Sequence, residues 1–177
     1  MIVRSPASSQ VRAAGVVVLA LGLWGALIPF VGPTFGYGMG GAEAWDWTES
    51  RATLHLAPGI AAALGGGLLL TGRGRAAQLW GALVALAGGI WFVVAPSLHP
   101  LWADASGGMM MHSGSATSSA LSALGYHYGT GALITAGAAY ALGVLVATRG
   151  TGPDVEPRVD TLHGPDDRAR EASLAQR

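Results

Sequence analysis

Four apolar stretches, each long enough to cross a lipid bilayer, constrain this chain more than any other feature of its sequence. Each has about 19–25 residues, and a hydrocarbon core of about 30 Å takes roughly 20 residues of helix. None has Asp, Glu or Arg in its interior. An isolated span must satisfy its own backbone hydrogen bonds, and segments rich in Gly, Ala, Leu and Val without alternation favour helices over a barrel. We therefore predict transmembrane helices over residues 13–31, 52–71, 76–97 and 124–148.

Composition supports an all-α membrane protein and excludes several functional classes. Hydrophobic residues make up 51% of the chain and charged residues 11%, whereas soluble proteins have about 25% charged residues. The chain has no cysteine, which excludes disulfides, thiolate zinc sites, iron–sulfur clusters and cysteine nucleophiles. Its formal net charge is zero, so no general basic field is available to bind nucleic acid.

The distribution of arginine predicts the orientation of the spans. Only Arg51 flanks the spans on one side, and the remaining flanking arginines lie on the other side. Because cytoplasmic loops are enriched in basic residues, we expect a plasma-membrane protein with both termini in the cytoplasm. Residues 1–148 form the membrane domain, and the polar segment 149–177 is expected to be a disordered cytoplasmic tail. The arginines on the cytoplasmic side are Arg4, Arg12, Arg73, Arg75 and Arg149.

The spans contain an internal repeat. A shift of 72 residues aligns His55 with His127 and Gly59 with Gly131, and a shift of 67 aligns one tryptophan and two prolines. The sequence therefore predicts two tandem helical hairpins, about 14–71 and about 81–147, related by a pseudo-two-fold axis along the membrane normal. The residues aligned by the shift of 67 are Trp24, Pro29 and Pro33 with Trp91, Pro96 and Pro100.

The repeated residues have expected structural roles. Pro29 and Pro96 are placed to kink or end their helices, because proline lacks the N–H group that continues the helix. We expect the second proline of each copy to keep the chain extended as it leaves the helix. The two tryptophans are expected to pack between helices, and the two glycines to admit a neighbouring helix closely.

The signature of Trp24, Pro29 and Phe30, followed by a tryptophan-bearing outer loop and a second span, resembles the SPW-repeat family of small bacterial integral membrane proteins. That family is named for a Ser-Pro-Trp triplet in the first helix of a two-helix unit. Here the triplets are Ile-Pro-Phe at 28–30 and Ala-Pro-Ser at 95–97, so Ser and Trp are missing. The resemblance covers about residues 14–147 and implies an architecture without a defined activity.

Histidines provide the only candidate metal or haem site. His55 and His127 are related by the repeat, and His112 with Met111 lies in the second outer loop. Imidazole binds Zn, Cu, Fe and Ni, and a thioether beside it favours copper. The alternative is that these histidines are structural and form hydrogen bonds to a loop or to the opposite helix. The carboxylates of Asp46 and Glu49 are expected to pair with Arg51 and with the positive end of the helix that begins the second span, rather than to act as a general acid and base.

The sequence favours a non-enzymatic scaffold or accessory subunit in the lipid bilayer, which self-associates or joins a larger membrane complex. No catalytic set is recognisable, and no cofactor is required by any motif. The alternative is a redox or metal-handling protein that uses His55 and His127 to hold haem or copper. A small-molecule transporter is a weaker alternative, because ion paths usually carry charged residues in mid-membrane.

Overall fold

The computed structural model describes residues 6–38, 43–101 and 116–148, and this part of the chain is helical with no strand. Helix α1 ends in a 3-10 turn, and so does helix α4. A π-helical turn joins α2 to α3, and a second joins α5 to α6. In chain order the elements are α1 (Pro6–Val31), a 3-10 turn (Gly32–Phe35), α2 (Glu49–Arg51), a π turn (Ala52–Leu56), α3 (Ala57–Thr71), α4 (Arg75–Leu98), a 3-10 turn (His99–Leu101), α5 (Ala116–Ala123), a π turn (Leu124–Tyr128) and α6 (Gly129–Ala147).

These elements form four helical segments that are long and apolar enough to cross a membrane. They are span 1 (Ser8–Phe35), span 2 (Glu49–Thr71), span 3 (Arg75–Leu98) and span 4 (Ala120–Ala147). The prediction of four such helices is confirmed. Spans 1, 2 and 4 begin several residues before their predicted starts, because their first turns carry polar residues that an apolar window leaves out.

The four spans pack in a ring in which each contacts its two neighbours. Helix α1 packs against α3 and α6, and α4 packs against the same two helices. Glycine permits the closest approaches: a Cβ atom on Gly22 would lie 2.5 Å from the backbone nitrogen of Ala63, and one on Gly66 would lie 2.5 Å from that of Leu19. Small residues at helix contacts are typical of membrane bundles.

The interior and the outer surface of the bundle are both apolar. Large hydrophobic side chains are exposed around the outside, including Leu64 at 63% and Leu133 at 57%. Such a continuous apolar surface suits contact with lipid and would be a liability in water. The buried core forms two layers, one of Val11, Ala14, Leu69, Ala82, Ala141 and Leu145, and the other of Val18, Ala62, Ala85, Phe92, Ile134 and Ala138.

The prolines at the helix ends differ from expectation in one respect. Pro29 and Pro96 lie inside their helices, which end two residues later at Val31 and Leu98. The prediction that the second proline of each copy keeps the chain extended is wrong. Pro33 and Pro100 lie in the two 3-10 turns, because the fixed φ of proline also suits the first residues of a helical turn.

Candidate histidine site

Two π-helical turns carry the two repeated histidines. His55 lies in the turn Ala52–Leu56, and His127 in the turn Leu124–Tyr128. Pro58 follows the first turn and has no N–H to donate to a carbonyl one turn earlier, which leaves that part of the helix short of a bond. In the second, the hydroxyl of Thr130 donates to the carbonyl of Gly125 at 2.6 Å. Such turns occur mostly as single insertions in α-helices and are frequent at functional sites.

Each π turn receives a hydrogen bond from a tryptophan on a neighbouring span. Trp24 Nε1 donates to the carbonyl of Gly125 at 3.3 Å, and Trp91 Nε1 donates to the carbonyl of Thr53 at 2.9 Å. Both indoles are nearly half exposed, Trp24 at 44% and Trp91 at 43%. The tryptophans therefore lie on the rim of the bundle and reach the adjacent helix through their nitrogen, which differs from full packing between helices.

His55 and His127 meet inside the bundle. Their ring centroids are 4.4 Å apart and the rings are tilted by 45°. Both residues are buried, with 4% and 3% of their surfaces exposed. Nδ1 of His55 and Nε2 of His127 are buried with no hydrogen-bond partner among the described residues. Leaving a buried polar atom unsatisfied costs about 1–3 kcal/mol, so this pair of nitrogens requires an explanation.

Two aromatic side chains, those of Phe92 and Tyr126, line the histidine site. The fully buried ring of Phe92 lies 6.3 Å from the ring of His55, centroid to centroid. Gly25 makes room for it, because a Cβ atom there would lie 2.5 Å from Cζ of Phe92. The ring of Tyr126 meets that of His55 edge-on, with centroids 5.6 Å apart. Residues from all four spans thus surround the two histidines.

Tyr37, in the loop that follows span 1, covers Tyr126 at the histidine end of the bundle, and we call it the roof of the site. Its ring stacks on that of Tyr126 with centroids 5.2 Å apart. The hydroxyl of Tyr126 donates to the carbonyl of Tyr37 at 2.5 Å, and the hydroxyl of Tyr37 donates to the carbonyl of Leu121 at 3.0 Å. Partial burial raises the pKa of Tyr37 above its ordinary value, so the phenol remains a donor at neutral pH.

Arg51 is a buried cation one turn before His55 on span 2, with 7% of its surface exposed. Its guanidinium donates to the carbonyls of Asp46 at 2.5 Å and Glu43 at 2.9 Å, and it lies 5.8 Å from the ring centroid of Phe30. Glu49 lies in the first turn of α2, as expected for a carboxylate at a helix start, but the predicted pairing of the carboxylates of Asp46 and Glu49 with Arg51 is wrong. Both residues are exposed, and backbone carbonyls satisfy the guanidinium because the loop folds over it.

The remaining predicted residues are divided between the described chain and the segments outside it. Gly59 lies against Ala26 and Gly131 against Phe92, each at a close helix contact. His112 and Met111 lie outside the described residues, as do Arg4, Arg149 and the tail 149–177. In the ranges 6–38, 43–101 and 116–148, no group of three or more His, Cys, Asp or Glu side chains is placed to hold a metal ion. Any metal held there would have two protein ligands of these types.

Sequence reasoning missed four residues of the site: Tyr37, Phe92, Tyr126 and the buried Arg51. Two of them carry a signal in the sequence, because they break the internal repeat. Phe92 aligns with Gly25 under the shift of 67, and Tyr126 aligns with Leu54 under the shift of 72. The large ring of Phe92 fills the space that the small residue leaves.

Comparisons of the chain with protein-family models, with curated proteins and with solved structures find no match. The resemblance to SPW-repeat proteins therefore stays a prediction about architecture. The geometry around His55 and His127 is the basis of the proposed function.

Proposed function

We propose that this chain is a four-span membrane protein that binds a transition-metal ion between His55 and His127. The observation that supports the proposal is the contact of two buried imidazole rings, whose centroids are 4.4 Å apart. Each ring has one nitrogen without a hydrogen-bond partner among the described residues. A metal–imidazole bond is about 2.0–2.1 Å long, so rings at this separation are within reach of one ion. Neutral imidazole is a common metal ligand, and coordination would satisfy both nitrogens.

The geometry favours an ion over a haem. Two imidazoles on opposite faces of a porphyrin would have ring centroids roughly 6 Å apart, given metal–nitrogen bonds of about 2 Å. The rings of His55 and His127 are closer than this. Phe92 and Tyr126 also occupy the space beside them, where the edge of a porphyrin would extend.

The position of the site supports metal handling on one side of the membrane. His55 lies six residues into span 2, which is about 9 Å along a helix. Phe92 closes the inner side, and the Tyr37 roof covers the outer side. An ion would therefore enter and leave past Tyr37, from the compartment that the roof faces.

We infer in addition that the two hairpins, 14–71 and 81–147, are copies of one unit with a pseudo-two-fold axis passing between the histidine rings. Two features support this inference. The π turns occupy positions that the shift of 72 aligns. The two tryptophan bonds also match, since Trp24 and Trp91 bind Gly125 and Thr53, which the same shift aligns.

The proposed orientation places both termini in the cytoplasm of a plasma-membrane protein. Arg12, Arg73 and Arg75 lie at one end of the bundle, where Arg75 donates to the carbonyl of Leu145. Arg51 lies at the other end, beside the histidine site. The positive-inside rule then assigns the histidine end to the outer side.

A scaffold or accessory role, the first expectation from the sequence, stays a prediction. Most of the described glycines pack inside this chain, whereas Gly67 and Gly143 have open space around them and suit contact with another helix. The mass of the detergent-solubilised particle would test self-association. Transport also stays a prediction, and ion flux into liposomes would test it.

Metal analysis of protein purified without chelators tests the proposed function. After incubation with Cu, Zn, Ni or Co salts and removal of excess ion, we expect one ion per chain for at least one of these metals. His55→Ala and His127→Ala should each lower the affinity at least about tenfold, as expected when one of two ligands is lost. His99→Ala is the matched control, because His99 lies in the 3-10 turn after α4. Failure of the unaltered protein to bind any of these ions would overturn the proposal.

A further inference from the structure

We infer that the histidine site selects monovalent over divalent ions, and that the ion it takes is Cu(I). This inference rests on the proposed metal site and names the ion class. It follows from the charge of the ligands, the burial of the site and the charge of Arg51 on the same span.

The described residues of the site supply no negative charge. Its ligands are the neutral imidazoles of His55 and His127, and its walls are Phe92 and Tyr126. The nearby acidic side chains of Glu43, Asp46 and Glu49 are exposed, away from this buried layer. Protein sites for Zn²⁺ usually provide four ligands, often including charged ones. A divalent ion here would keep its full charge with only two nitrogen ligands from the described chain.

An ion that enters the site must leave water, and the cost of this step depends on the charge of the ion. His55, His127 and Tyr126 are each at least 95% buried, and Phe92 is fully buried. The Born cost of transferring an ion into such a medium scales with the square of its charge. A divalent ion therefore costs about four times as much as a monovalent ion of similar size. Coordination by two imidazoles therefore offsets a smaller fraction of the transfer cost for a divalent ion than for a monovalent ion.

The fixed positive charge of Arg51 also disfavours a divalent ion. Arg51 precedes His55 by four residues on span 2, and its guanidinium is held by the carbonyls of Asp46 and Glu43. Its described contacts include no carboxylate that would neutralise it. Coulomb repulsion is proportional to the charge of the bound ion. Arg51 therefore penalises a divalent ion twice as strongly as a monovalent one.

Ligand chemistry selects Cu(I) among monovalent ions. Alkali cations are hard and bind oxygen ligands, whereas imidazole suits copper. Cu(I) is also stable with three ligands. Two trans imidazoles would have centroids about 6 Å apart, so the 4.4 Å separation means that Nδ1 of His55 and Nε2 of His127 would bind the ion in a bent arrangement. The third position is then open to a small ligand such as water. Ag(I) has the same charge and similar ligand preferences, so it provides a probe that does not change oxidation state.

The selectivity of the unaltered protein tests the inference. Detergent-solubilised protein is titrated anaerobically with Cu(I) against a coloured Cu(I) chelator, and separately with Ag(I), Zn(II) and Ni(II). We expect one Cu(I) or Ag(I) per chain, bound at least about 100-fold more tightly than Zn(II), which corresponds to about 2.7 kcal/mol. Equal or tighter binding of Zn(II) or Ni(II) would overturn the inference and leave the proposed metal site standing. Absence of binding by all four ions would overturn the metal site itself.

Removal of the fixed charge provides a second test. Arg51→Gln should raise the affinity for both ions. Because the repulsion energy is proportional to ionic charge, the factor for Zn(II) should be about the square of the factor for Cu(I), for instance about tenfold against about threefold. Arg12→Gln, at the opposite end of the bundle, should change neither affinity. An unchanged ratio of the two affinities in Arg51→Gln would contradict the role of Arg51. If that variant does not fold, the titration of the unaltered protein still decides the inference.

Discussion

The indole nitrogen of Trp24 donates a hydrogen bond to the carbonyl of Gly125, which belongs to the π turn that carries His127. The same relationship links Trp91 to Thr53 in the π turn that carries His55. A π turn leaves backbone groups without their usual partners inside the helix. The tryptophans supply partners from neighbouring spans, so the two histidine-bearing turns depend on helices other than their own.

Loss of either tryptophan bond should destabilise the bundle. Trp91→Phe keeps an aromatic ring but removes the indole donor to the carbonyl of Thr53, which is expected to cost about 1–2 kcal/mol. Trp24→Phe should cost less, about 0.5–1 kcal/mol, because the hydroxyl of Thr130 also donates to the carbonyl of Gly125. Denaturant unfolding in detergent, followed by the helical signal in circular dichroism, measures the change. Trp80→Phe is the matched control, because Trp80 is 66% exposed on the outer surface. Equal effects at all three positions would argue against a role for these bonds.

The roof over the histidines should control the rate of ion release. Tyr126→Phe removes the donor to the carbonyl of Tyr37 while the ring stacking remains. We expect an unchanged stoichiometry and roughly tenfold faster ion release, which corresponds to about 1.4 kcal/mol and is typical of one lost hydrogen bond. Stopped-flow mixing of loaded protein with a chelator measures this rate.

Tyr140→Phe is the control for the roof experiment, because Tyr140 is 52% exposed on the outer surface of span 4. Its release rate should match that of the unaltered protein. Equal release rates in all three proteins would show that ions do not leave past Tyr37.

Glycine positions at the helix contacts should tolerate substitution very differently. In Gly22→Ala the new Cβ atom would lie 2.5 Å from the backbone nitrogen of Ala63, so spans 1 and 2 must separate. We expect a loss of at least about 2 kcal/mol in the free energy of unfolding, in the range of overpacked cores. Gly67→Ala meets nothing within 4 Å and should be neutral or stabilising by up to about 1 kcal/mol. Similar stabilities for the two variants would contradict the packing.

The proposed orientation is testable with single cysteines, because the chain has none of its own. Asp46→Cys lies in the loop at the histidine end, and Gly74→Cys lies in the turn between α3 and α4. We expect a membrane-impermeant maleimide to label Asp46→Cys in intact cells and Gly74→Cys only after permeabilisation. The reverse pattern would invert the topology and place the histidine site on the cytoplasmic side.

Sequence alone predicted the four long apolar helices because length and composition determine whether a segment is able to cross a bilayer. It also identified His55 and His127 as equivalent positions. It did not show that their rings meet, since that depends on how each helix is rotated about its own axis. The two π turns were also not predicted, because they depend on Pro58 and on bonds from neighbouring helices.

The missed residues of the site show a further limit of the sequence pattern. Phe92 and Tyr126 fill the centre of the bundle at positions where the other copy has Gly25 and Leu54. A search for matching residues passes over such differences. They are nevertheless informative, because only one residue of each equivalent pair has room for a large ring at the centre of the bundle. Arg51 was assigned to an ion pair because its carboxylate neighbours are close in sequence. The loop instead directs backbone carbonyls at the guanidinium.

X-ray absorption spectroscopy of the Cu(I)-loaded protein is the most direct test that both histidines bind one ion. The account predicts two imidazole nitrogens at about 2.0 Å from the metal, together with the multiple scattering that is typical of imidazole rings. It also predicts that His127→Ala lowers the number of imidazoles to one, and that His99→Ala leaves it at two. A spectrum without imidazole scattering, or one that neither His55→Ala nor His127→Ala alters, would contradict the account.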